Sequence, residues 1–132
     1  MIVVDTSALI AIIKREPMAR VLAEALLSAD SVVISAGTVV EARVVATRGG
    51  RIADLDEVLK AIISEIIPVT GERARLISDA YRSWGKGFHA AALNFGDCFS
   101  YATAKELGCP LLFVGHDFQQ TDVRPAMQAS YP

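Results

Sequence analysis

The sequence predicts an α/β protein: a three-layer α/β/α arrangement around a mainly parallel central sheet of about four to five strands. Three observations predict it. Short apolar runs recur along the chain. Longer segments with helical periodicity lie between them. The two kinds alternate, and strands joined through helices form parallel βαβ units whose helices cover both sheet faces.

The elements follow in order. Ile-Val-Val at 2–4 is a short buried strand, and a helix starts near Thr6. Pro17 opens a second helix, along which Met18, Val21, Leu22, Ala25 and Leu26 keep i, i+3, i+4 spacing. Val-Val-Ile at 32–34 is the next strand, and the helix after it carries Glu41 in its first turn. Leu55, Val58, Leu59, Ile62 and Ile63 repeat the helical interval. The stretch 65–70, Glu-Ile-Ile-Pro-Val-Thr, holds a further strand, which Pro68 confines to a sheet edge or a strand end. Ala74, Ile77, Ala80, Tyr81 and Trp84 mark another helix, ended by Gly85. A helix from about Asp97 to Leu107 stops at Gly108, and Leu-Leu-Phe-Val at 111–114 is the last strand. In the tail, Pro125 and Pro132 argue against a long terminal helix.

A chain of 132 residues is expected to form one domain over 1–132. Hydrophobic residues are 52% and charged residues 21%, which excludes disorder. Mean hydropathy is +0.38, so more apolar surface is expected than one core hides, and with it a partner interface. The longest early apolar run, 8–13, is too short to span a membrane. With Asp5 before it and no basic leader, it is a poor signal peptide, and a cytoplasmic protein is expected. Cys98 and Cys109 lack zinc-site spacing and read as buried free thiols. Net charge is −2, so no global basic field points to nucleic acid. The segment 72–89 is nevertheless locally basic, with Arg73, Arg75, Arg82 and Lys86 against Glu72 and Asp79.

In a βαβ unit each helix begins at the carboxyl edge of the sheet, where open α/β sheets bind ligands. Asp5 follows the first strand. Glu41 lies at the start of the helix after the second. Asp97 begins the helix that leads to the last strand, and Asp117 comes soon after that strand. All four acids therefore map to one sheet edge, and strand order decides whether they converge. Crowded carboxylates raise each other's pKa, a penalty that a hard cation such as Mg²⁺ or Mn²⁺ removes. Each acid also has a structural reading. Asp5 suits an N-cap, Thr38 with Glu41 a capping box, Asp97 a helix dipole and Asp117 an Asx-turn. Asp122, near Asp117, is a candidate outer support of the site, whereas Glu24, Asp54, Asp56, Glu57, Glu65, Glu72 and Asp79 are assigned to the surface.

"VVDTSAL", a helix bearing "TVVEA", and then "NFGDCFSYATAKELGCPLLFVGHDF" resemble PIN-domain ribonucleases of the VapC toxin type. The resemblance runs from Met1 to about Val123, and "YRSWGKGFHAAALNFGDC" is similar to one branch of those toxins. It implies a twisted, mainly parallel sheet between helices, usually in a homodimer. It implies that Asp5, Glu41, Asp97 and Asp117 hold the metal. Thr6 matches a position that often supports the site, and Ser100 lies one turn after Asp97 on the same helix face. Both hydroxyls also suit ordinary caps. A small antitoxin, laid into a groove, is the implied partner.

The expected activity is metal-dependent hydrolysis of RNA phosphodiesters, with one or two Mg²⁺ or Mn²⁺ ions and products bearing 5′-phosphate and 3′-hydroxyl. Glu41 or Asp117 is the candidate to orient water or accept its proton. An acidic site repels RNA, so cations must hold the backbone, and Arg82, Lys86 and His89 are the candidates. Gly85 and Gly87 would allow close approach. Trp84, Phe88 and Phe95 are candidates for base stacking, with core packing the alternative for Trp84. His89 also reads as an ordinary loop histidine, and His116 is not assigned as a ligand. Two rivals remain. A receiver-like phosphoacceptor wants adjacent acids after the first strand and a late Lys, which are missing here. A non-catalytic binding module would use the acids only as caps.

Overall fold

The computed structural model describes residues 1–127. The segment 128–132, and with it the reading of Pro132, lies outside the described residues. Strands β1 (Ile2–Val4), β2 (Val32–Ser35), β3 (Glu65–Ile67) and β4 (Leu111–Leu112) form one sheet in the order β3-β2-β1-β4. Every described pairing is parallel, with Val3 opposite Val33 on one side and Leu111 on the other. β3 lies at an edge, as Pro68 requires.

The helices are α1 (Thr6–Ile13), α2 (Ala19–Ser28), α3 (Ala36–Arg48), α4 (Ile52–Ile62), α5 (Gly71–Trp84) and α6 (Phe95–Leu107). Alternate strand residues point to opposite sheet faces, which divides the core. On one face Val3, Val33, Ile67 and Leu111 pack with Ile77, Ala80, Cys98, Tyr101 and Ala102 from α5 and α6. On the other, Val4, Val32, Ile34 and Leu112 pack with Leu9, Leu22, Ala42 and Leu55 from α1 to α4. This is the expected three-layer arrangement. Each fully buried Leu or Val contributes about 1.5–3 kcal/mol.

Several boundaries differ from expectation, each for a local reason. Pro17 lies outside α2, whose N-cap is Met18, because the chain after α1 spends its next residues on a turn in which Arg15 takes φ 54°. α3 starts at Ala36, since the Ser35 hydroxyl at the end of β2 accepts from Gly37 N. Glu41 therefore sits in the second turn, and Thr38 and Glu41 form no capping box. β4 stops after Leu112, because Val114 N donates to Ser7 Oγ rather than to the ladder. α6 starts at Phe95, capped by Asn94. Gly108 ends α6 at φ 64°, a conformation Gly adopts without strain. Both cysteines are free, with Cys98 buried and Cys109 only half-buried.

α5 and α6 form an antiparallel hairpin. Arg73, early in α5, pairs with Glu106, late in α6, while Trp84 at the end of α5 donates to Tyr101. The connecting segment 85–94 is closed by backbone pairing of Gly85 with Leu93. Its tip thus stands beside the N-terminus of α6. Among the described residues no helix is long and apolar enough to cross a membrane.

Candidate active site

The sheet order places β1 between β2 and β4, so the segments that leave all three strands share one edge. Asp5, Glu41, Asp97 and Asp117 line one open cleft of about 240 Å³ there, together with Thr6, Ser7, Ile10, Ala11 and Glu16. Glu16, from the turn after α1, was not foreseen.

Asp5 is buried, and its backbone N–H donates to Leu112 O at 3.0 Å. Its carboxylate is fully engaged. Ser100 Oγ donates to Oδ1 at 2.5 Å, and Ser7 donates to Oδ2 through N (3.0 Å) and Oγ (2.7 Å). The N-cap reading is therefore correct, and the same residue also faces the cleft. Burial raises its pKa, which the Ser100 and Ser7 hydrogen bonds oppose.

Glu41 is held by Thr6, whose Oγ1 donates to Oε1 at 2.6 Å. Its carboxylate lies directly against Gly96, where any Cβ would overlap Oε2. Partial burial raises its pKa, opposed by Thr6 and reinforced by Asp5. Asp97 is the third residue of α6 and forms a reciprocal capping box with Asn94 through Oδ2. Its pKa is raised to about 7, first by burial and then by the charges of Asp5, Asp117 and Glu41. Those three causes mean that all four acids share one field. Asp117 is exposed, and among the described residues its carboxylate accepts no hydrogen bond, so no Asx-turn explains it.

The donor set fits a hard divalent cation. It consists of oxygens, with no His or Cys in the cleft. Among the described residues, however, no three of these groups stand close enough to enclose an ion as they are. Both oxygens of Asp5 and one oxygen each of Glu41 and Asp97 are already held in place by hydrogen bonds.

The hydroxyls join the acids. Ser100 Oγ also lies 3.2 Å from Thr38 Oγ1, so Thr38 on α3 backs the residue that holds Asp5. Ser7 and Gly96 escaped sequence reasoning. Ser7 carried a signal, since it stands two residues after an acid N-cap. Gly96 carried only its place beside Asp97.

The substrate-binding candidates lie outside this cleft. Arg82 is exposed and pairs with Asp79 at 3.1 Å. His89 packs edge-on against Trp84 at 4.7 Å, and its Nδ1 accepts from Ala91 N, an ordinary loop role. Lys86 is exposed and has no ion pair among the described residues. Gly85 is buried against Tyr81, so it packs the loop rather than offering room to RNA, whereas Gly87 is exposed at φ 92°. Trp84 packs partly into the core, while Phe88 and Phe95 are 64% and 77% exposed. Asp122 is exposed and bonds Tyr101. His116 is exposed and outside the cleft.

Comparisons with known proteins agree with this fold. The PIN domain family model matches residues 2–124. Over 128 residues the chain is 43% identical to ribonuclease VapC30 of Mycobacterium tuberculosis, covering 92% of this chain and 95% of that one. It is 46% identical over 125 residues to ribonuclease VapC36 of the same organism, covering 92% and 90%. Among solved structures, M. tuberculosis VapC20, described as a sarcin-ricin loop cleaving toxin, matches with TM-score 0.71 at 19% identity, over 95% of this chain and 100% of that one. A toxin-antitoxin complex from Klebsiella pneumoniae contains a chain with TM-score 0.72 at 20% identity, covering 99% and 98%. The fold is theirs, the sequence kinship is with the VapC ribonucleases, and the chain belongs to the VapC branch of the PIN-domain family.

Proposed function

We propose that this chain, acting as one unit over residues 1–132, is the toxin of a toxin–antitoxin pair and hydrolyses RNA phosphodiesters with one or two Mg²⁺ or Mn²⁺ ions. The observation that carries the reading is the convergence of the four acids on one cleft, where burial first, and then the charges of Asp5, Asp117 and Glu41, raise the Asp97 pKa to about 7. Such a site is costly to fold and is relieved by a cation.

Asp5, Asp97, Asp117 and Glu41 would hold the ion. When bound, it makes water a better nucleophile and offsets charge on the phosphoryl and leaving oxygens. Asp5, fixed by Ser7 and Ser100, acts as a rigid anchor. Glu41 keeps Oε2 free of Thr6, and Asp117 keeps both oxygens free, so these two are the candidates to accept a proton from water. The products carry 5′-phosphate and 3′-hydroxyl. Lys86 and His89 from the hairpin loop, with Arg82 in the last turn of α5, grip the RNA backbone.

A small antitoxin and a second copy of the chain are the protein partners. The K. pneumoniae complex supports the first. Exposed Val40, Val44 and Phe95 along α3 and α6 supply apolar surface for a protein contact. An RNA target puts the site of action in the cytoplasm.

The test is cleavage of single-stranded RNA by the purified chain with Mn²⁺, with excess chelator, and with Asp97→Asn. Cleavage lost in the last two, with 5′-phosphate at the new ends, supports the reading. Cleavage that persists in chelator removes the metal. A rival, the non-catalytic module, draws on the caps that Asp5 and Asp97 do form. Mn²⁺ binding that survives Asp5→Asn combined with Asp97→Asn favours that rival.

A further inference from the structure

Asp117 differs from the other acids of the cleft. Thr6, Ser7, Ser100 and Asn94 hold Asp5, Glu41 and Asp97. No hydrogen bond among the described residues holds the Asp117 side chain, so its position depends on the turn that carries it. That turn is pinned at two points. Phe118, the next residue, is 2% exposed and packs on Phe113 with ring centroids 5.0 Å apart. A few residues on, Asp122 accepts a 2.5 Å hydrogen bond from Tyr101 Oη. Between the two pins, Thr121 bonds back to Phe118 O through both N (3.1 Å) and Oγ1 (2.7 Å). Together with Gln119 N donating to His116 O at 3.2 Å, these bonds link the segment from His116 to Asp122 into consecutive turns.

Tyr101 is buried on α6, one turn beyond Asp97. Its hydroxyl has a fixed sense. Trp84 Nε1 donates to it at 2.8 Å, so its own proton is left for Asp122. A phenol donating to a carboxylate is among the stronger hydrogen bonds. Lys105 also pairs with Asp122 at 3.2 Å, but both partners are about half exposed, and such pairs contribute little. Trp84, at the root of the tip loop, in turn packs edge-on against His89 within it. One hydroxyl thus connects the loop that carries Lys86, the helix that carries Asp97 and the turn that carries Asp117.

We propose that Tyr101 is a positioning residue: by holding Asp122 it sets where Asp117 stands relative to Asp97. The inference rests on the proposed function only in giving Asp117 a share of the ion. Loss of outer support of this kind lowers metal affinity about 10- to 100-fold in metal sites.

The experiment is calorimetric titration of the full chain with Mn²⁺, run on Tyr101→Phe, Asp122→Ala, Asp117→Asn and the combination of Tyr101→Phe with Asp117→Asn. The expected result is Mn²⁺ affinity about tenfold weaker in each of the first two. In the Asp117→Asn background, Tyr101→Phe should weaken it no further. Affinity unchanged in Tyr101→Phe, or a loss that simply adds to that of Asp117→Asn, overturns the proposal, whatever happens to the melting temperature. Asp122 is exposed, so Asp122→Ala, which removes the acceptor, decides the matter if Tyr101→Phe does not fold. Failure of the unaltered chain to bind Mn²⁺ also overturns it. An unaltered chain that binds Mn²⁺ but cuts no RNA sinks the ribonuclease reading alone, and the titration still judges Tyr101.

Discussion

Ser100 Oγ donates a 2.5 Å hydrogen bond to Asp5 Oδ1 and so ties α6 to the end of β1 across most of the chain. Both residues are buried, and Thr38 Oγ1 stands behind the serine at 3.2 Å. Removing the donor leaves a buried carboxylate with one oxygen unsatisfied, at a cost of about 1–3 kcal/mol. Ser100→Ala is expected to lower stability by about that much and RNA cleavage by at least about tenfold. Chemical denaturation and single-turnover cleavage check the two effects. Unchanged cleavage would show that Asp5 needs no such anchor.

Gly96→Ala separates stability from activity. An added Cβ meets the far end of the Glu41 side chain, which must swing away and give up its Thr6 hydrogen bond. Alanine also favours the helix over glycine by about 0.5–1 kcal/mol. The lost hydrogen bond offsets that gain, so the melting temperature should change little. Cleavage should fall at least about tenfold, because Glu41 no longer faces the cleft. Scanning calorimetry beside a cleavage assay settles it; full activity would mean that Glu41 is dispensable.

The raised pKa of Asp97 sets a pH dependence. Its folded value is about 7 against the ordinary 3.8, so between those limits the folded chain binds more protons than the unfolded one. Stability without divalent ions should therefore be greatest below about pH 4 as far as this group is concerned. It should fall as pH rises to about 7, by at most about 1.4 kcal/mol per unit. Asp5 and Glu41, also raised, push the same way. Added Mn²⁺ should oppose the fall, and its affinity should climb across that range as protons leave. Asp97→Asn should flatten the profile. Denaturation midpoints at several pH values, with and without Mn²⁺, make the comparison.

Lys86→Ala tests the hairpin tip. Lys86 is exposed, so stability should change by less than about 0.5 kcal/mol. RNA affinity should drop, and the slope of log affinity against log salt should shrink by about 0.7. Arg82→Ala should cost less, since Asp79 already shares that charge. Affinity that ignores Lys86 would move the RNA path away from the tip.

Much of the fold was legible because it depends on local signals. The runs at 2–4 and 32–34 were strands as read, the stretch 65–70 holds its strand at 65–67, and Gly85 and Gly108 ended their helices. The errors fell where long-range partners overrode local ones. Thr38 and Glu41 have capping-box spacing, yet Ser35 caps first, so Thr38 turns to Ser100 and Glu41 to Thr6. The strand at 111–114 lost its last two residues because Val114 found Ser7.

The sequence by itself determined the alternation of strands and helices, and it carried the four acids to one sheet edge, since each lies where a strand ends or a helix starts. Tertiary structure alone decided that these acids share a field, because only the order β3-β2-β1-β4 brings those ends together. It also decided which hydroxyl holds which carboxylate. The Thr6–Glu41 and Ser100–Asp5 pairs span 35 and 95 residues, and no local spacing encodes a contact that packing between layers creates.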